Sequence, residues 1–420
     1  MFILNSGADV PLYVQIYEQI KKDIADGRLE GGDRLDPSRQ LAQSIGVSRN
    51  TVDLAYEKLL SEGYIISRAR RGYFVEDIRQ PYAAERPKEK KKAVFDMREG
   101  SVCAENFPLS KWKQCAAKAL TNDAVFTSAP TFGTDELKAE TVDFLYRYRS
   151  IRCSAEDVFI FGGMESCMGL VFTALGRDTV LYFAEDENSA APEIAAMCGM
   201  DINTGGLDNA FEGNCVYLRA FCGDKYLSAE KRREATKRAE ENNVIIIEND
   251  TGFFYAGNMT KLPALRAYSE ENVIYTGTFA DIIFPAGIAY AVVPKQIADK
   301  LNKMKRCFSC ADVFTQLTLT YFLRDKNRDR YLYRMAGCER EKLEEMADEC
   351  KKLFGRAEAN YADCTVSIAD TSAQEICQRA EKSGVLADMQ GDKLVLCSRG
   401  IKKEDVRAAV RLLYNAAVEN

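Results

Sequence analysis

Residues 35–56 read LDPSRQLAQSIGVSRNTVDLAY, and their spacing decides the fold of the first part of the chain. Leu41, Ala42 and Ile45 form an apolar stripe at helical spacing, and Gly46 stops it. Asp36-Pro37 predicts the start of that helix, with Asp36 capping free N–H groups and Pro37 in the first helical position. Only Val47 separates the stop from Ser48, a natural N-cap for a further helix whose apolar face is Val52, Ala55, Tyr56 and Leu59. Two short helices joined by so tight a turn have the helix-turn-helix geometry. Upstream, Tyr13, Ile16, Ile20 and Ile24 predict an amphipathic helix that Gly27 ends. Downstream of Gly63, Tyr64–Ser67 and Tyr73–Val75 predict two strands, with Arg68, Ala69, Arg70, Arg71 and Gly72 as the turn between them.

The second helix of such a pair offers its first turn to the major groove of DNA. Here that turn is Ser48, Arg49, Asn50 and Thr51. Arginine and asparagine are the side chains that read base edges through paired hydrogen bonds. The hairpin reads as a wing whose Arg68, Arg70 and Arg71 meet phosphate or enter the minor groove. Residues 11–77 hold 10 basic and 11 acidic residues, so any positive face must be local to these positions. The expected partner is double-stranded operator DNA.

The bulk numbers bound the rest. A chain of 420 residues exceeds one ordinary domain. Apolar content of 46% with 29% charged is that of a globular protein with a sizeable core, and a net charge of −6 argues against coating nucleic acid over the whole surface. No apolar run approaches the ~20 residues of a membrane span, and the start lacks a signal-peptide pattern, so a cytoplasmic setting is expected. The 14 cysteines, irregularly spaced, then read as reduced thiols. Histidine is absent, which removes the usual general base, zinc ligand and pH switch. Cys307 and Cys310 make a lone C-x-x-C, too few ligands for a metal site.

Three segments are expected: a winged helix-turn-helix over 1–77, a linker over 78–92 rich in lysine and with two prolines, and an α/β domain over 93–420. In the last, short apolar runs at 158–160, 180–183, 216–218, 244–247, 273–275 and 288–293 alternate with helical stretches such as 229–242. Such alternation predicts a mostly parallel sheet covered on both faces. This large lobe is expected over about 131–299. A smaller α+β lobe is expected over about 300–420, joined by the arm 93–130.

The N-terminal motifs resemble a GntR-type domain: Leu12-Tyr13, Gln15-Ile16, Gly27-Arg28-Leu29, Val47 to Val52, Ala55-Tyr56 and Glu62-Gly63-Tyr64. The resemblance implies that Arg39 is the arginine this family sets against phosphate. Both later lobes resemble a fold-type-I aminotransferase, through Phe107-Pro108 with Trp112, Gly133, Gly163, Arg232-Arg233, Ile247-Glu248, Gly277-Thr278-Phe279, Phe284-Pro285 and Val292-Val293-Pro294. The order of the two parts resembles the MocR branch of the GntR regulators. In active relatives this domain holds pyridoxal phosphate on a Schiff-base lysine.

That resemblance implies a cofactor pocket at Gly163, Glu165, Ser189, Asn249, Thr251, Thr278 and Asp281, with its chemistry replaced. Asp281 stands where the lysine belongs, and a carboxylate forms no imine. Asn249 stands for the aspartate that pairs with the ring nitrogen, Thr251 for a tyrosine, and Ser189 for the aromatic that stacks on the ring. The arginine expected after Phe284-Pro285 is absent, and Glu165 stands in the first turn after Gly163, where phosphate would sit. Lys225, in the loop bordering the pocket, is the alternative amine. The reading is a transcriptional regulator with a pseudo-aminotransferase domain, no cofactor, a homodimeric state and a small amino compound as effector. The alternatives are an aminotransferase with a DNA-binding head, a non-covalent sensor of pyridoxal phosphate or an amino compound, and a C-terminal domain that only dimerises.

Overall fold

The structure, a computed structural model, describes residues 4, 10–69, 71–76, 94–100, 102–103, 107–184, 189–205, 211, 214–219, 221–222, 225–255, 262–281, 283, 286–305, 310–361 and 363–418. Expectations for Arg70, the 78–92 linker, Phe284, Pro285, Cys307 and the Lys225 side chain lie outside what it describes. The chain divides into two compact units, Met1–Lys90 and Lys91–Asn420.

In the first unit, α1 (Leu12–Ala25), α2 (Ser38–Ile45) and α3 (Arg49–Ser61) precede the antiparallel hairpin of β1 (Ile65–Arg68) and β2 (Gly72–Val75). Ile16, Ile20, Leu41, Val52, Ala55, Tyr56, Leu59, Ile65 and Val75 close one small core. Gly46 ends α2 at φ 71°, a left-handed conformation that glycine adopts without a Cβ clash. The start of α2 differs from expectation. Pro37 is the N-cap itself, extended at ψ 136°, and no side chain caps the helix. The Pro37 carbonyl accepts from the Gln40 and Leu41 amides. Asp36 contributes its carbonyl, which accepts from the Tyr56 hydroxyl at 2.8 Å and so ties α3 to the entry of α2. The rigid φ of proline already sets the entry angle, so the carboxylate cap is dispensable.

In the second unit, β3 (Phe95–Asp96), α4 (Leu109–Ala119) and α5 (Asp135–Arg149) lead into β4 (Val158–Phe161), α6 (Met164–Leu175), β5 (Val180–Ala184), α7 (Ala191–Met197), β6 (Asp201–Gly205) and β7 (Cys215–Arg219). A two-residue hairpin of β8 (Phe221–Cys222) and β9 (Lys225–Tyr226) follows, then α8 (Ala229–Glu241), β10 (Ile245–Asn249), β11 (Val273–Thr278), β12 (Ala289–Val292), α9 (Lys295–Met304) and α10 (Val313–Leu323). The main sheet has the order β4-β12-β11-β10-β7-β5-β6. Its pairings are parallel except that β12 runs against both its neighbours. Strand alternation separates two cores: Val158, Ile160, Tyr275, Tyr290 and Val292 face one, whereas Phe159, Phe161, Ile274, Ala289 and Ala291 face the other.

The remaining elements are α11 (Arg328–Phe354), β13 (Glu358–Asn360), β14 (Thr365–Ala369), α12 (Ala373–Lys382), β15 (Val385–Leu386), β16 (Asp388–Gln390), β17 (Lys393–Cys397) and α13 (Val406–Val418). A second sheet, β13-β14-β17-β16, is antiparallel throughout. The core changes hands within α11. Leu332, Met335 and Ala336 pack with the main sheet, whereas Leu343, Met346, Ala347 and Cys350 pack with the small one. Leu319, Phe322 and Leu323 of α10 also belong to the large core, against which Phe107 and Trp112 pack. The large core thus extends past the expected boundary near residue 300 to about Gly337, because α10 and early α11 bury their apolar side chains with α4, α5 and main-sheet residues. The arm splits likewise. β3 pairs with β15 and Met97 joins the small core, but α4 lies on α10.

Candidate nucleic-acid interface and candidate pocket

Ser48 caps α3, its hydroxyl accepting from the Thr51 amide at 3.1 Å and pairing with the Thr51 hydroxyl at 2.8 Å. Both side chains are therefore engaged in fixing the first turn. Arg49 and Asn50 are left exposed on that turn. Arg49 Nε lies 3.4 Å from the Asp53 carboxylate, one turn further along. Arg39 is exposed on α2, and Arg68 and Arg71 are exposed at the wing. The Arg68 guanidinium lies over the Phe74 ring, 4.8 Å from its centroid, which holds it near the hairpin surface. The structure adds Arg34. It bridges to Phe74, and its guanidinium lies against Gly72 at the wing turn. No periodic stripe or turn signal marked Arg34, because its placement depends on pairing across the hairpin.

We expect Arg49→Ala and Asn50→Ala each to weaken binding to a selected operator by roughly 1–3 kcal/mol and to relax preference at one base position. Arg68→Ala or Arg71→Ala should instead weaken all sequences alike and reduce the salt slope by about 1. Fluorescence anisotropy on matched and scrambled duplexes over a salt series separates the two. Equal loss on both duplexes for Arg49→Ala would remove it from base reading.

In the second unit, Glu165, Ser189, Asn249, Thr251 and Thr278 line one cavity of about 320 Å³, beside Glu99, Arg219, Asp363 and Arg399. Gly163 caps α6 at the edge of this space, and a Glu165 carboxylate oxygen curls back to within 3.3 Å of where a Gly163 Cβ would be. Asn249 ends β10 with its amide committed to protein. It donates to the Tyr217 hydroxyl at 2.6 Å and accepts from the Thr251 amide at 3.1 Å and hydroxyl at 2.6 Å. Asp250, the next residue, turns to the opposite side, where Arg149 meets it at 2.5 Å and the Tyr275 hydroxyl donates to it at 2.7 Å. Thr278 donates to the Ile288 carbonyl and accepts from the Ala280 amide. Ser189 accepts from the Ala191 amide.

Asp281 does not line the cavity. It lies just behind the cavity wall, where its carboxylate accepts from the Gly252 amide at 2.7 Å and sits 3.7 Å from Arg399 Nη1. Burial pushes the Asp281 carboxyl up, and the Arg399 charge and the Gly252 N–H oppose that shift. Burial likewise raises Glu99, with the Asp363 and Asp388 charges adding to it. Arg219 grips Asp363 through both terminal nitrogens, at 2.7 and 3.3 Å. Sequence reasoning missed Glu99, Arg219, Asp363 and Arg399, which come from segments far apart in the chain. The end of an apolar run, as at Arg219 after Val216–Leu218, was the one available signal.

Residues 12–75 match the family described as bacterial regulatory proteins, gntR family. Over most of its length the chain is similar to the HTH-type transcriptional regulator YdeL of Bacillus subtilis (strain 168), at 26% identity over 91% of this chain and 89% of that one. It is also similar to the probable rhizopine catabolism regulatory protein MocR of Rhizobium meliloti, at 26% identity over 72% and 70%. An archaeal alanine:glyoxylate aminotransferase shares the fold of the second unit, with a TM-score of 0.67 at 18% identity over 77% of this chain and 90% of that one. The protein is a DNA-binding transcriptional regulator whose second unit has the aminotransferase fold. Its N-terminal segment matches the gntR family, and along its length the chain is similar to MocR-type regulators.

Proposed function

We propose that the aminotransferase-like unit works as an effector and dimerisation domain without pyridoxal phosphate and without catalysis. The observation that supports this is the buried Asp281 carboxylate, tied to the Gly252 amide and facing Arg399, where the family resemblance implies the Schiff-base lysine. The other residues present do not fit the cofactor either. Asn249 has no anion to offer a ring nitrogen and its amide is engaged by Tyr217 and Thr251. Glu165 brings a negative charge to the helix start that phosphate would need. The cavity carries three carboxylates, Glu99, Glu165 and Asp363, and two guanidinium groups, Arg219 and Arg399. That balance favours a small amine held by ion pairing, free of phosphate. The test is the absorption spectrum of the purified full-length protein, which should show no band beyond the aromatic region, with or without added pyridoxal phosphate in excess followed by dialysis.

The homodimer belongs to the same proposal. Leu109, Leu120 and Phe126 in and just after α4 are exposed, Phe126 by 84%, a cost that a partner surface would remove. We expect residues 93–420 alone to be folded and dimeric without any cofactor. A monomer by light scattering, or loss of near-ultraviolet dichroism, would overturn this.

A further inference from the structure

The outward face of α3 holds a residue that the DNA-binding motif does not account for. With Val52, Ala55, Tyr56 and Leu59 buried, helical periodicity turns Asn50, Leu54 and Glu57 outward along one line. Leu54 is 42% exposed there. Among the described residues of the first unit it is the only large hydrophobic so exposed on a helix, since Val10 precedes α1. It stands one turn after Asn50, about 6 Å along the axis. Its surroundings are not those of a phosphate grip, because Asp53 and Glu57 flank it and offset Arg49 and Lys58. An apolar side chain on a charge-balanced face that enters the major groove has one apolar feature to meet there, the 5-methyl group of thymine.

The Arg49–Asp53 pair fixes where that meeting occurs. At 3.4 Å, with the arginine side chain 69% exposed, it adds little to stability. It biases the guanidinium toward the helix face over the backbone phosphates. A guanidinium so held presents its fork to the O6 and N7 acceptors of guanine.

We infer that Leu54 is a specificity-determining residue that reads the 5-methyl group of a thymine, in a register set by Arg49 clamped against Asp53. Asp53 is the positioning residue of the pair. This rests on the DNA-binding role of α3 and adds the base it selects.

The experiment starts with duplexes selected from a randomised pool by the full-length wild-type protein. Each thymidine of the selected half-site is then replaced singly by deoxyuridine, which removes only the methyl group. One replacement should weaken wild-type binding roughly three- to fivefold, the value of one buried methyl. The same replacement should have no effect on Leu54→Ala and should keep its effect on Leu54→Met. Asp53→Asn should broaden tolerance at the guanine position, reduce the deoxyuridine penalty and, with Arg49 released toward phosphate, steepen the salt slope by up to about 1. Leu54 is exposed, so circular dichroism should show both Leu54 variants folded as wild type. A half-site without thymine, or a methyl penalty equal in wild type and Leu54→Ala, overturns the inference. A protein that selects no sequence at all overturns the base-reading role of α3 with it.

Discussion

Full-length protein incubated with pyridoxal phosphate and then reduced with borohydride should carry no stoichiometric label on any single lysine. Reduction traps an imine, and an imine needs an unprotonated amine held against the aldehyde carbon. Position 281 offers a carboxylate instead, already occupied by the Gly252 amide and the Arg399 guanidinium. Asp281→Lys alone should not restore a stoichiometric adduct or transaminase activity. Its amine would face Arg399 with one compensating charge removed, and Asn249 and Glu165 would still fail to orient the ring. Peptide mapping by mass spectrometry reads the outcome. A single pocket lysine labelled to near one equivalent, Lys225 being the first to inspect, would overturn the reading. Sparse labelling over many surface lysines would support it.

The largest stability loss is expected from Arg149→Met, at about 3–5 kcal/mol. Arg149 and Asp250 are both fully buried and in contact at 2.5 Å, and Arg149 also donates to the Leu262 carbonyl and lies over the Phe253 ring. Removing the guanidinium strands Asp250 in an apolar core with the Tyr275 hydroxyl as a remaining donor. Replacing both partners, as in Arg149→Met with Asp250→Leu, should recover much of the loss, because the cost lies in the unpaired charge. The loss should also depend on pH. Glu248 is pushed up to about 7 by burial and by the Asp250 charge, against the pull of Arg232 and Arg149. Its folded value lies above its unfolded one, so the stability gained by protonating it is present at low pH and lost as pH rises through about 7. Without Arg149 that shift grows, and the variant should lose more at pH 8 than at pH 6. Urea melts at the two values check this. A loss below 1 kcal/mol, or one larger at pH 6, would contradict it.

Local signals carried the N-terminal unit. The stop at Gly46, the cap at Ser48 and the stripe Val52–Leu59 each act within a few residues, so the sequence states them directly. The main strands were legible for the same reason, since runs such as Val158–Phe161 are buried on both faces. β6 was not, because it is an edge strand with mostly exposed side chains, Asp201, Asn203 and Thr204 among them. The pocket was half legible. Asn249 and Glu165, at a strand end and a helix start, were placed there by the resemblance to the aminotransferase fold. Arg399 and Asp363 come from the small lobe, and nothing local in their segments points to a shared cavity. The opposition of Asn249 and Asp250 is what strand alternation requires of adjacent residues.

The helix α11 has the mechanics of a beam clamped at both ends. Leu332, Met335 and Ala336 fix one end in the large core, and Leu343, Met346 and Ala347 fix the other in the small one. Between the clamps stands Gly337, exposed, where an added Cβ would meet nothing within 4 Å. No neighbour demands glycine there, yet glycine inside a helix costs roughly 0.5–1 kcal/mol relative to alanine. The beam therefore carries its most compliant section at midspan. Any tilt of one core against the other concentrates as flexure at that one residue, and an alanine there would stiffen the span without crowding anything.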